Sequence, residues 1–382
     1  MKILIAPNSF KGSCNSKDVA IAMEKGILNV LPHAGIEKIP LSDGGDGFLD
    51  TFKFANTRIK IYRTKVLGPV GKKVDACYGI LDDTAIIEMA QASGLRLLEP
   101  WERNPFFTTT YGTGQLIKLA LDRDVKKIIL GIGGSATIDA GVGCLQALGV
   151  KFIKKNGKDI GYGGVELIKI SRIDPAGIDL RLKHTEFIIA CDVKNPLTGR
   201  KGAAYIYGPQ KGATPRMVKI FDKGLCNYAK IIKRDTGRDI ENIPCAGAAG
   251  GIGAGLVAIA GAKLRTGVKV VAELIGLNEK IKKVDLVITG EGEIDGQTVY
   301  GKVPIGIAKI ARKYNIPVVA ICGSLGEGYE LVYKYGIDVV MSIIDSPMES
   351  TCAMEKANFL IEKAAERAFR ILLVGLNMRQ RT

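Results

Sequence analysis

Histidine is almost absent from this chain: 382 residues carry only His33 and His184. Two imidazoles exclude a three-histidine metal centre and a repeated zinc module. A Ser-His-Asp hydrolase would have to draw on one of these two. Tryptophan occurs once, and aromatic residues make up 6% of the chain. There are eight cysteines, but none is paired at C-x-x-C spacing, and most lie among apolar or small residues. That usage fits small apolar filler in a reducing cytoplasm rather than disulfides or a metal site. Long hydrophobic runs are also missing. The N-terminal apolar run, Ile3 to Ala6, is too short for a signal-peptide core. The longest uncharged stretch, Ile243 to Ala262, is interrupted by glycines 247, 250, 251, 253, 255 and 261. It reads as a Gly-rich loop leading into a buried helix, so no membrane partner is expected.

Positive charge is abundant, with 54 Lys or Arg against 39 Asp or Glu and a net charge of +15. The lysines are scattered in pairs such as Lys72-Lys73 and Lys282-Lys283, with no long basic run and no interleaved aromatics. A nucleic-acid binder would concentrate charge on one face or arm. A solvated basic surface, compatible with a small anionic substrate, is the expectation, and no nucleic-acid partner. The length is about twice that of a typical domain. A hydrophobic content of 47% can build a sizeable core, which excludes global disorder.

Short β-branched runs alternate with helical periodicity at both chain ends. Ile3 to Ala6 reads as a strand, and Ser16, a plausible N-cap, opens a helix to Val30. Ile36 to Pro40 is a second strand, and a helix runs through Phe52 and Phe54. Near the C-terminus, strands are expected at 284–289, 317–322 and 339–343, helices at 304–314 and 328–335, and a closing helix with Met354, Ala357, Ile361, Ala364, Ala368 and Ile371 on one face. Such alternation implies parallel βαβ units in an open α/β sheet. The middle is richer in glycine and has successive extended runs. The expected architecture is one doubly wound α/β domain built from 1–75 and 285–382, with a second α/β domain of mixed sheet inserted at 76–284.

Three glycine loops and one acidic segment stand out. Gly131-Ile-Gly133-Gly134-Ser135-Ala136 satisfies G-x-G-x-x-A and is expected between a strand and a helix. The dinucleotide fingerprint wants an acid about 20 residues on, where this chain has Lys151, Lys154 and Lys155. An NADP-dependent oxidoreductase of a small hydroxy acid is the alternative this loop supports; an anion cradle and a ligand-free tight turn are the other readings. Gly296 to Lys302 matches G-x-x-x-x-G-K, but Val303 stands where a P-loop needs Ser or Thr, and the expected strand ends too far upstream. Lys302 remains a candidate anion contact. Gly247 to Gly255, with Gly250 and Gly251 at its centre, can lie against a phosphate or serve close helix packing. Glu291, Glu293 and Asp295 follow a strand, where open α/β sheets place ligands, and such acids suit Mg²⁺ held through carboxylates and substrate phosphates.

Taken in order, these segments resemble the bacterial glycerate kinase family. The matching stretches are Ile5 to Ser13, Ser42 to Gly47, Glu102 to Pro105, Thr108 to Gly114, Gly131 to Thr137, Cys191 to Leu197, Gly208 to Thr214, Gly247 to Gly255, Thr289 to Asp295 and Gly301 to Gly306. The resemblance spans nearly the whole chain. It implies a flavodoxin-like domain with a second α/β domain inserted, and ATP-dependent phosphorylation of glycerate, with 2-phosphoglycerate favoured over 3-phosphoglycerate. It implies ATP as phosphoryl donor, Mg²⁺, a cytoplasmic enzyme, and compatibility with a homodimer. Asn8, Ile138, Lys194 and Glu293 depart from the commonest family pattern. The chemistry needs a carboxylate at the hydroxyl and cations on the anionic groups. Asp192 is the candidate base or metal ligand, Lys11 and Arg103 are candidate catalytic contacts to phosphate or glycerate, and Glu291 and Asp295 are candidate Mg²⁺ ligands. Ser9, Asp43, Gly133, Gly134, Ser135, Gly250, Gly251 and Lys302 complete the expected substrate and nucleotide contacts.

Overall fold

A computed structural model of the chain describes residues 1–42, 44, 45, 47–55 and 58–379. Asp43, one of the expected contacts, lies outside the described residues. The strands in chain order are β1 (Lys2–Ile5), β2 (Gly35–Lys38), β3 (Lys60–Leu67), β4 (Lys73–Leu81), β5 (Thr84–Glu88), β6 (Lys127–Gly131), β7 (Lys151–Ile153), β8 (Arg172–Asp174), β9 (Glu186–Ala190), β10 (Lys263–Arg265), β11 (Leu286–Ile294), β12 (Val318–Leu325) and β13 (Val339–Ser342). The chain divides into two compact units, one of Met1–Asp43, Asp50–Thr57 and Val268–Thr382, the other of Gly44–Leu49 and Arg58–Gly267.

The first unit holds a five-stranded sheet ordered β13-β12-β11-β1-β2, with every pair parallel. Counting only its own strands, this is the 2-1-3-4-5 order of flavodoxin-like folds. Interior strands of such a sheet are covered on both faces and read as continuous apolar runs; Ile3, Leu4, Ile5, Val287 and Ile288 are all fully buried. Helix Ser16–Leu28 forms where Val19, Ala20, Met23 and Ile27 recur at helical spacing, all with no exposure. Its cap is Asn15 rather than Ser16: the Asp18 N–H donates to Asn15 Oδ1 at 2.9 Å. Helix Ala357–Arg379 crosses it so closely that a Cβ on Gly26 would fall 2.1 Å from the Glu362 carbonyl oxygen. Ala357, Ile361 and Ala364 are buried there, whereas Met354 falls in the separate helix Ser350–Glu355 and is 50% exposed, and Ile371 is 65% exposed.

The second unit holds a six-stranded sheet ordered β10-β9-β6-β5-β4-β3. It is mixed: β3, β4 and β5 are antiparallel neighbours, while β5, β6, β9 and β10 run parallel. β7 and β8 form a separate two-stranded antiparallel ribbon. Strand β3 pairs with β4 along its whole length, from Lys60 opposite Ile80 to Leu67 opposite Lys73. The expected junction at 75 cuts this hairpin, which the structure keeps whole in the second unit. The uncharged stretch 243–262 contains the short helix Ile252–Ala260. No described helix is long and apolar enough to cross a membrane. The cysteines are all free thiols.

Candidate functional site

In the first unit the strand order reverses between β1 and β11, and open α/β sheets bind ligands beyond the carboxyl ends of the strands at such a point. The turn after β1 carries Ser9 and Lys11. The Asn8 N–H donates to the Gly290 carbonyl at 2.8 Å, and the Ser9 N–H donates to Asn8 Oδ1 at 2.8 Å. A Cβ on Gly292 would lie 3.5 Å from the Lys11 nitrogen, so this turn runs beside the end of β11. Strand β11 itself continues past the expected end at 289, because Glu293 and Ile294 keep register with Ser324 and Leu325 of β12. Glu291 therefore sits on the strand, 6% exposed, with Asp295 just beyond its end.

Thr298 and Lys302 tie these acids together. Thr298 Oγ1, fully buried, lies 3.0 Å from Glu291 Oε1 and 3.0 Å from Asp295 Oδ1. Lys302 Nζ lies 3.7 Å from Glu291 Oε1 and 3.3 Å from Asp295 Oδ1. Partial burial pushes the Asp295 carboxyl up, but the Lys302 ammonium and the Thr298 hydrogen bonds outweigh it and hold the pKa below the ordinary value. Because β11 reaches Ile294, the argument from distance against a P-loop falls away. Val303 at the Ser/Thr position, and Lys302 engaged with two acids, still separate this segment from one. Among the described residues no three carboxylate, thiol or imidazole groups converge as a metal-holding set. Two carboxylates remain a suitable donor set for Mg²⁺, which usually takes one or two protein carboxylates and fills its shell with water and substrate phosphates.

In the second unit β6 and β9 are parallel neighbours, with Gly131 opposite Ala190, so the loops after them leave the same edge. The loop after β6 does not turn directly into a helix. Helix Val142–Ala147 begins only after an irregular stretch, and Lys151 to Ile153 enters the small ribbon rather than the next parallel strand. The dinucleotide fingerprint needs that compact strand–turn–helix geometry and does not find it here. Gly133 meets a close neighbour instead: its N–H donates to the Gly44 carbonyl at 2.8 Å, and a Cβ on it would fall 2.2 Å from the Gly45 Cα. The amide the loop was expected to offer at Gly133 is thus already engaged. Gly134 has φ +71°, which glycine adopts without strain.

Two buried charges brace this loop. The Asp139 carboxylate accepts from the Thr110 N–H (2.8 Å), the Thr110 hydroxyl (2.8 Å), the Gly141 N–H (3.2 Å) and the Gly143 N–H (3.3 Å). Burial nevertheless raises its pKa, with those hydrogen bonds opposing. Lys211, 2% exposed, donates from Nζ to Ser135 Oγ at 2.7 Å and to the Thr137 carbonyl at 2.7 Å. Burial pushes its ammonium down to about 7, with Asp139 pulling the other way. Gly250 and Gly251 (φ +76° and +95°) pack on the same loop: a Cβ on Gly250 would fall 2.0 Å from the Thr137 carbonyl oxygen, and the Ala140 N–H donates to the Gly250 carbonyl at 3.0 Å.

Asp192, half-buried, follows the end of β9 by two residues, and its Oδ1 accepts from the Gly267 N–H at 3.0 Å. Arg103 follows the turn Pro100–Glu102. Its carbonyl lies against Gly212, where a Cβ would come within 2.1 Å, and its Nε is buried without a hydrogen-bond partner among the described residues. The expected residues therefore gather by unit: Ser9, Lys11, Glu291, Asp295 and Lys302 in the first, and Arg103, Gly133, Gly134, Ser135, Asp192, Gly250 and Gly251 in the second. Sequence reasoning missed Thr298, Asp139 and Lys211. The signal for Lys211 was its place in Gly208-Pro-Gln-Lys-Gly-Ala-Thr214, one of the matching stretches.

A sequence profile described as the Glycerate kinase family matches residues 3–373. A glycerate kinase of Halalkalibacterium halodurans is 50% identical over 95% of this chain and 96% of its own length. A glycerate 2-kinase of Escherichia coli K12 is 47% identical over 91% of each chain. A crystal structure from Salmonella typhimurium LT2, described as a candidate glycerate kinase 2, superposes with a TM-score of 0.83, at 44% identity and over 99% of both chains. With the profile spanning nearly the entire sequence and the relatives matching end to end, the chain belongs to the glycerate kinase family.

Proposed function

We propose that the chain transfers the γ-phosphoryl group of ATP to the 2-hydroxyl of glycerate, giving 2-phosphoglycerate and ADP. The observation that carries the choice of hydroxyl is the end-to-end likeness to a relative named glycerate 2-kinase. In this reading Asp192 takes the hydroxyl proton while that oxygen forms its bond to the γ-phosphorus and the bond to the ADP oxygen breaks. The hydrogen bond from Gly267 holds one Asp192 oxygen in place. Arg103 holds the glycerate carboxylate, since a guanidinium presents a planar fork matched to it. Lys11 and Lys302 offset negative charge on the phosphates, and Ser9, Gly134 and Ser135 line them, with Gly133, Gly250 and Gly251 keeping the loop's shape. Glu291 and Asp295 would hold Mg²⁺, which supplies charge neutralisation at the phosphoryl oxygens when bound.

The test is product identity. Purified protein is incubated with glycerate, ATP and MgCl₂, and enolase is added to convert any 2-phosphoglycerate to phosphoenolpyruvate, read by ultraviolet absorbance. The expected result is a signal with enolase alone. A signal that requires added phosphoglycerate mutase would mean that the 3-hydroxyl is the acceptor.

A further inference from the structure

Among the described residues Lys211 is the one lysine in the group of largest fully buried side chains, and no ion pair accounts for it there. No described carboxylate lies within salt-bridge distance of its Nζ. The nearest opposing charge that acts on it is Asp139, whose oxygens are already taken by Thr110, Gly141 and Gly143. An ammonium has three N–H donors and no acceptor. Two of those donors go to Ser135 Oγ and the Thr137 carbonyl. The consequence falls on Ser135. With Nζ donating to its oxygen, the hydroxyl proton must go to some other acceptor, and no described residue takes it. The amides of Gly133 and Ala136 on the same loop are committed to the Gly44 and Ser93 carbonyls, so they do not compete for an incoming group. A buried cation without a counter-ion is costly, and such groups persist where a ligand supplies the missing charge.

We infer that Lys211 is a positioning residue for anion binding: by donating to Ser135 Oγ it leaves the serine hydroxyl to donate to an oxyanion of a bound substrate, and it supplies the buried counter-charge. The anion is either a phosphoryl oxygen of ATP or the carboxylate of glycerate. The inference rests on the kinase reading above but assigns a residue that reading does not use. Lys211 also reaches the Thr137 carbonyl, next to the Cβ-excluding contact of Gly250, so one side chain fixes both halves of the loop.

The test uses Lys211→Met, Ser135→Ala and the double variant in the full chain, with kcat, both KM values and thermal melting measured for each. Each single variant is expected to raise the KM of one substrate by about tenfold or more, the size of losing a hydrogen bond to a charged group. The double variant should be no worse than the weaker single one, because both changes remove one shared interaction. Which KM moves names the anion: that of ATP for the phosphate, that of glycerate for the carboxylate. Melting of Lys211→Met should hold or rise, since a desolvated charge has been removed. The inference is overturned if both KM values stay within twofold of wild type, if the two losses multiply in the double variant, or if melting falls while both KM values are kept. Should Lys211→Met fail to fold, Ser135→Ala decides alone: a raised KM supports the inference and an unchanged pair of KM values overturns it. A wild type that forms no phosphoglycerate at all would instead sink the kinase reading, a separate result.

Discussion

The two units carry charge in opposite ways. In the first, Lys302 meets Glu291 and Asp295 at a partly exposed strand end, and Asp295 is held below its ordinary pKa. Each charge there favours the other, and water shares the work, so the cluster costs little to keep. In the second, Lys211 is sealed in with two neutral hydrogen-bond acceptors, and Asp139 is satisfied by backbone and hydroxyl donors elsewhere. Desolvation dominates both residues there, lowering the lysine and raising the acid. The first arrangement is stable without a ligand. The second is held against its own electrostatics by packing, which marks it as a place where stability has been given up for function.

The comparison breaks most sharply at Asp192. Asparagine keeps an oxygen to accept from the Gly267 N–H, so Asp192→Asn should fold and melt like the wild type. It cannot take a proton, and kcat should fall by about 10²–10⁴-fold, the usual contribution of a positioned base. Turnover that stays near wild type with melting unchanged would remove Asp192 from that role. In the first unit the sharper probe is Thr298, which touches both acids without being charged. Thr298→Val keeps the shape and removes the hydroxyl. Loss of a group that orients metal ligands typically costs about 10–100-fold in metal affinity. The Mg²⁺ concentration giving half-maximal activity, and the Mg²⁺ affinity read by calorimetry, should rise accordingly. No change in either would mean that Glu291 and Asp295 hold Lys302 and not the metal.

Much of this architecture was legible in the chain. Ile3 to Ile5, Ile128 to Leu130 and Phe187 to Ala190 are runs that only a doubly covered sheet buries completely, and they read as such. The junctions were harder, because consecutive extended runs such as Lys60–Leu67 and Lys73–Leu81 announce a hairpin but not the sheet it joins. The end of β11 was missed because Gly290, Glu291 and Gly292 carry poor strand propensity, and register with β12 overrides it. Asp192 and Arg103 stood out only through family segments, since a lone acid or arginine usually faces water. Lys211 too was marked only by its family segment, and its role was not legible: its partner Ser135 is 76 positions away, and nothing local distinguishes a buried lysine from a solvated one.

That buried lysine also sets the finest test of the contrast, through stability and pH. Its folded pKa of about 7 lies below the ordinary lysine value of 10.5, so between these values the unfolded chain binds more protons than the folded one. Stability attributable to this group therefore rises with pH across that window, and the penalty of burying the charge is complete only below about 7. Methionine at 211 has no such penalty. Lys211→Met should gain most over the wild type at pH 6, by up to about 1–4 kcal/mol less the cost of leaving Ser135 and Thr137 without their donor. The gain should shrink steadily towards pH 10. An Asp295→Asn variant should show a difference from wild type of the same slope at the acid end but of opposite sign, because Asp295 contributes stability where the buried lysine costs it. Asp295 has a lowered pKa, so its contribution is present above the unfolded carboxylate pKa and is lost as pH falls through the folded one. Urea unfolding of the three proteins across pH 2 to 10 reads both slopes. If the Lys211→Met difference is flat from pH 6 to pH 10, the lysine is not desolvated as its burial implies, and the two units do not differ in the way their charges are held.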